Sequence, residues 1–114
     1  MTLNPRVYCM DGFNLSIQRT DYTYSDLHHI WGQNCDGICF EIGFPSNPEE
    51  LIMKFAESPE NPTKTVYAYV PLSVVMQVLE KHGGIREGKL PYYPGVTRDK
   101  GYKSSEFLQG YSND

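Results

Sequence analysis

The sequence contains no apolar run close to the roughly 18 residues a bilayer-spanning helix requires, which argues against a membrane protein. Its opening, MTLNPRVYC, has no basic segment followed by an apolar one, so no secretory signal is read there. The expectation is a cytoplasmic protein of whatever cell makes it. Cysteine is sparse: Cys9, Cys35 and Cys39 are an odd number without a regular framework, and in such a setting they read as free thiols. Positive charge is also short. A formal net charge of −4 disfavours direct nucleic-acid binding, because neutralising phosphates takes surplus Lys and Arg. Internal repeats and low-complexity tracts are absent.

What remains is a chain of 114 residues, 39% hydrophobic, in the range where one apolar core forms without staples. The charges are uneven. Residues 1–63 carry three basic and nine acidic side chains, and residues 64–114 carry seven and five. An acidic front and a mildly basic back suit docking on a charged partner, although ordinary surface variation produces such counts too.

Asp11-Gly12 between RVYCM and FNLSIQ predicts a β-hairpin with both turn residues at positive φ. Residues 19–36 show no sustained period and read as a long loop, functional or docked by its own aromatics. GICFEIGF alternates, predicting a strand with Ile38, Phe40, Ile42 and Phe44 on one face and Glu41 on the other. Asn47, Pro48 and Glu50 then read as a capping box opening a helix that buries Leu51, Ile52, Phe55 and Ala56. Residues 63–70 predict a strand with Val66, Ala68 and Val70 inward and Tyr67 and Tyr69 outward. A right-handed parallel crossover from the preceding strand fits the spacing, with an antiparallel arrangement left open.

TVYAYVPLSVVMQVLEKHGGI poses the question of whether His82, Gly83 and Gly84 form a site. Leu72, Val75, Met76 and Leu79 follow helical spacing. Lys81 and His82 fall in the last turn, where cations meet the negative helix end, and Gly83 supplies a left-handed terminator. A phosphate loop would put its glycines before the helix. These residues are therefore read as structural.

The predicted fold is α+β: an N-terminal hairpin, then strand–helix–strand–helix, with both helices on one face of a small mixed sheet. Residues 1–85 form the core and 86–114 an irregular tail rich in Tyr, Gly and Pro, packed on the core or extending from it. The opposite sheet face, bearing Ser16, Glu41, Tyr67 and Tyr69, is left uncovered.

No catalytic, metal or cofactor site is assigned. No cysteine has the glycine-rich turn or helix start that would activate it. His28, His29, Cys35 and Cys39 are four candidate zinc ligands, but adjacent histidines do not easily face one ion. Tyr67 and Tyr69 on an open sheet could stack bases, yet tyrosine serves protein interfaces equally well without needing positive charge. Glu41 beside them could orient a ligand or meet a basic partner. The candidate partner-binding residues are accordingly Glu41, Tyr67, Tyr69, Tyr92, Tyr93, Arg98, Lys100 and Lys103, contacting a protein partner or a second copy across the open face.

The run GFPSNPEELIMKFAESPENPTKTVYAYVPLSVVMQVLEKHGGI, with DGFNLSIQ upstream, resembles short uncharacterised proteins of phage and prophage genomes. The resemblance spans about two thirds of the chain and brings no catalytic or ligand residues. It implies a small acidic accessory protein that inhibits host defence, anti-CRISPR proteins among them, by occupying a surface of a nucleoprotein effector. The alternatives are a small-ligand binder that sequesters a nucleotide signal, through a pocket of Tyr or Trp31 with an arginine such as Arg98, and an assembly component of a phage or mobile element.

Overall fold

The computed structural model describes residues 3–94. Five strands form one sheet in the order β4-β3-β2-β1-β5: β1 (Val7–Cys9), β2 (Asn14–Gln18), β3 (Cys39–Gly43), β4 (Val66–Pro71) and β5 (Ile85–Glu87). Every neighbouring pair is antiparallel. One α-helix, α1 (Leu72–Lys81), follows β4 directly, and 3-10 helices occupy Gly32–Asn34 and Glu50–Phe55. The class is α+β. The mixed sheet and parallel crossover are corrected, since β3 and β4 pair antiparallel.

The hairpin forms where the sequence places it, but with a different turn. Cys9 N–H donates to the Phe13 carbonyl and Gly12 N–H to that of Cys9, which closes a three-residue loop. Only Gly12 takes a positive φ, and the Asp11 carboxylate instead accepts the Phe13 N–H. A single left-handed glycine next to a tight turn gives the same reversal as the two-residue alternative.

At the end of α1, Gly84 N–H donates to the Leu79 carbonyl and Gly83 N–H to that of Glu80. This 6→1 and 5→2 pair is the Schellman arrangement, and Gly83 at φ +89° supplies the left-handed residue it requires. The glycines therefore end a helix, as read from their position. At the other end the Leu72 N–H, which has no partner within the helix, donates to the Ile38 carbonyl. Val75, Val78 and Leu79 are buried, and α1 packs on β3, β4 and the Glu50–Phe55 segment.

Glu50–Phe55 departs from expectation. The cap is Glu49, not Asn47: its carboxylate accepts the Leu51 N–H, and the segment winds as a 3-10 helix. Two helices on one face thus become one α-helix and a short 3-10 helix.

β4 carries the largest correction. Ile42 pairs with Tyr67 and Phe40 with Val70, so three steps on β4 match two on β3. The additional residue is a bulge, and Tyr69 within it has φ 55°. Alternation breaks there, so both Tyr67 and Val70 point into the core at 0% exposure, while Val66 and Ala68 are only half-buried. Tyr67, expected outward, donates its hydroxyl to the Pro62 carbonyl. Phe44 is corrected in the other direction: it takes φ 51° after β3 and is 50% exposed.

Beyond α1, the part of the segment 86–114 that is described joins the fold: β5 pairs with β1, and Leu90 and Tyr93 are buried in the core.

Candidate functional site

The long loop between β2 and β3 lies across the sheet face expected to be open. Tyr24 N–H donates to a Glu41 carboxylate oxygen at 3.1 Å, and Tyr69 N–H donates to the Tyr24 carbonyl at 2.9 Å. Asp26 anchors the next turn. Arg19 binds it in two-pronged fashion, Nε to Oδ1 at 2.9 Å and Nη2 to Oδ2 at 2.7 Å, and Oδ1 also accepts the Cys39 N–H. A Cys35–Cys39 disulfide then ties the loop to the first residue of β3. The two thiols expected to be free are thus paired with each other, and only Cys9 remains free among the described cysteines. The loop thus partly covers Glu41 and Tyr69, both of which keep intermediate exposure.

Roofing the sheet moves the exposed aromatics onto the roof. His28 and Trp31 stack with centroids 5.0 Å apart, His28 and His29 at 4.9 Å, and Tyr22 meets His29 at 5.3 Å. Tyr24 touches His28 at 5.9 Å and Tyr69 at 6.0 Å. Five rings thus run without a break from Tyr22 through His29, His28 and Tyr24 to Tyr69, and Trp31 branches off at His28. Tyr22 is 69% exposed and Trp31 48%, with Leu27 and Ile30 also exposed. Glu41 lies beneath: burial pushes its carboxyl above the ordinary value and neighbouring Glu57 adds to this, against the Tyr24 N–H and His28, which oppose it.

The candidates named from sequence separate accordingly. Glu41 and Tyr69 meet at the inner edge of the ring series. Tyr67 and Tyr93 are core residues, Tyr93 edge-on to Phe40 with centroids 5.9 Å apart. Tyr92 is 44% exposed, and its carbonyl accepts from Arg19. Arg98, Lys100 and Lys103 lie outside the described residues. Missing from the candidates were Tyr22, Tyr24, His28, His29 and Trp31 as a group. The signal for them was present: a long loop dense in aromatics, and no Lys or Arg between Arg19 and Lys54.

The same contacts involve the four residues that the sequence offers as zinc ligands. The Cys35 and Cys39 sulfurs bond to each other and the two imidazoles lie on one another, so the four side chains do not converge. Among the described residues no group of three potential ligands is placed to hold a metal ion, and no helix is long and apolar enough to cross a membrane.

A second cluster forms at the hairpin turn. His82 Nδ1 lies 2.6 Å from an Asp11 carboxylate oxygen and Nε2 lies 2.6 Å from Glu49 Oε1, while Lys81 Nζ reaches Glu49 Oε2 at 2.8 Å. The imidazole stacks on Phe13 with centroids 4.0 Å apart. Burial pushes the Glu49 carboxyl up, but hydrogen bonds from Lys81, His82 and the Leu51 N–H outweigh it and hold the group below its ordinary value. Asp11 is likewise held low, burial being outweighed by the Phe13 N–H and His82. Both ring nitrogens of His82 are thus engaged by carboxylates. Nearby Cys9 is buried, and burial with the Asp11 charge raises its thiol to about 12, which makes it a poor nucleophile. The cluster works as a clamp that joins the hairpin turn, the α1 terminus and the Glu50–Phe55 segment.

A cleft of about 400 Å³ opens between Leu3, Asn4, Gln18, Arg19, Leu27 and Tyr92. Two cations line it: Arg19, already engaged by Asp26 and by the Tyr92 carbonyl, and Lys89.

No protein-family model matches the chain, and no curated protein or solved structure matches it either.

Proposed function

We propose that this chain is a non-catalytic binding protein that makes its contact through the roof of the sheet, with Tyr22, His28, His29, Ile30 and Trp31 as its face. The observation that carries this reading is the uninterrupted ring series, solvent-exposed at Tyr22 and Trp31, on a loop fastened by a disulfide and a two-pronged ion pair. Aromatic side chains held rigid lose little conformational freedom on contact, and they are the residues that dominate binding energy at protein interfaces. The placement of Cys9 and His82, one inert and the other engaged at both nitrogens, favours binding over catalysis.

The inhibitory role implied by the phage resemblance is carried forward as the biological form of that binding, with a host-defence nucleoprotein complex as the target. The test is to add the purified chain to a panel of CRISPR-type nuclease complexes and follow target cleavage. Stoichiometric loss of cleavage with the natural chain, restored by Trp31→Ala, is the expected result. A panel in which no complex is bound or slowed discards the inhibitor role, and inhibition indifferent to Trp31→Ala discards this surface.

A further inference from the structure

Glu41 is a half-buried carboxylate without a cation. Among the described residues no lysine or arginine pairs with it: Arg19 is held by Asp26, Lys81 by Glu49, and Lys54 lies over the Phe55 ring. Its one hydrogen bond comes from the Tyr24 N–H. The ring of that same tyrosine touches both Tyr69 and His28, and His28 continues the stack to Trp31. A buried carboxylate is normally neutralised by a partner charge. Among the described residues no lysine or arginine stands there, His28 alone opposing the Glu41 charge, and the Tyr24 and Tyr69 faces beside it carry negative quadrupoles that attract cations as the carboxylate does. The surroundings point the same way. Glu57 is near enough to raise the Glu41 carboxyl, Asp21 and Asp36 lie on the same loop, and the sequence has no Lys or Arg from 20 to 53.

We infer that Glu41, with the Tyr24, Tyr69 and His28 rings beside it, is the receiving site for a lysine or arginine side chain presented by a protein partner. This rests on the proposed binding role of the loop and adds the chemistry of its partner: a basic segment, with a guanidinium or ammonium group directed at Glu41 and neighbouring residues lying along Trp31 and Tyr22. Partner charge that complements a concentrated acidic patch sets specificity and association rate. An anionic partner, nucleic acid included, would meet the same charge as repulsion.

Trp31, the single tryptophan, provides the readout. The full chain is titrated with a short peptide of alternating arginine and glycine, and separately with a glutamate–glycine peptide of equal length, while Trp31 fluorescence is followed. The arginine peptide should bind, more weakly as salt rises, and the glutamate peptide should not. Glu41→Gln retains an oxygen for the Tyr24 N–H but removes the charge, and should weaken binding about tenfold. Equal binding by Glu41→Gln, or equal binding of the glutamate peptide, overturns the site.

If Tyr22→Ala weakens binding while Glu41→Gln does not, the loop surface survives and only the cation site falls. If the arginine peptide fails with the natural chain but binds once Arg98, Lys100 and Lys103 are all changed to alanine, the occupant is the chain's own basic segment, and the partner is overturned. If no peptide changes the fluorescence of either form, the cation site is rejected, and the cleavage assay with Trp31→Ala still decides the surface by itself.

Discussion

The Glu49 carboxylate, 1% exposed, meets His82 Nε2 at 2.6 Å across 33 residues of chain. That contact joins the helix terminus to the segment after β3 and draws the Glu49 cap inward. Removing it leaves His82 Nε2 and the Lys81 ammonium with fewer acceptors. Glu49→Ala should therefore lower the unfolding free energy by about 2 kcal/mol in urea titrations, the scale of a lost hydrogen bond to a charged group. A loss below a few tenths would show that the clamp is incidental.

Acid should act on the same cluster. Glu49 and Asp11 have folded values below their unfolded ones, so the unfolded chain binds more protons as pH falls. The stability these groups contribute is fully present above the unfolded carboxylate range, about pH 4, and is lost as pH falls through their folded values. The Asp11 share is small because its side chain is half exposed. Thermal midpoints should drop on acidification below pH about 4, less steeply in Glu49→Gln than in the natural chain.

Glu41 has the opposite sign. Its folded value is raised, so the fold prefers it neutral, and it costs stability once pH rises through the window between the unfolded and folded values. Glu41→Gln should raise the thermal midpoint at pH 7 and show no advantage below the carboxylate range. A substitution that stabilises the free protein while weakening binding is the mark of a residue kept for contact. A destabilised Glu41→Gln would mean that the carboxylate is simply part of the roof.

The Cys35–Cys39 disulfide closes a short loop, for which chain-entropy arguments give about 2 kcal/mol. Reduction, or the double change Cys35→Ala with Cys39→Ala, should lower stability by about that amount. It should also increase amide exchange in 26–37 more than in β1 or β2, because the disulfide is the C-terminal fastening of the loop. Uniform exchange across the protein would contradict a local role.

Gly32 tests how the loop is packed. A Cβ there would lie 2.4 Å from the Asp26 carbonyl oxygen, a backbone atom that cannot rotate away. Gly32→Ala should shift Trp31 fluorescence and weaken peptide binding, with a loss of global stability of about 1–3 kcal/mol, the usual range for overpacking.

The elements that local chemistry determines were legible in the residues. A left-handed glycine after an apolar helical stripe ends a helix wherever the stripe packs, so the termination of α1 at Gly83 needed no tertiary information. The same holds for the reversal at Asp11-Gly12 and for β3 as an alternating strand. Three things were settled only by parts of the chain distant in sequence. Tyr67 and Val70, three residues apart, both face inward because pairing with β3 places a bulge between them, which breaks the strict alternation. The helix expected to start at Asn47 is a 3-10 segment capped by Glu49, whose carboxylate also meets His82 and Lys81 from the far end of α1. The long loop became the surface because its backbone found hydrogen-bond partners on Glu41 and Tyr69 and its Asp26 carboxylate accepted the Cys39 N–H, each partner supplied by a strand that had not yet entered the sequence when the loop began. Periodicity and caps reach about one turn along the chain. The neutralisation of charge and the roofing of a sheet depend on contacts that close only when the fold does.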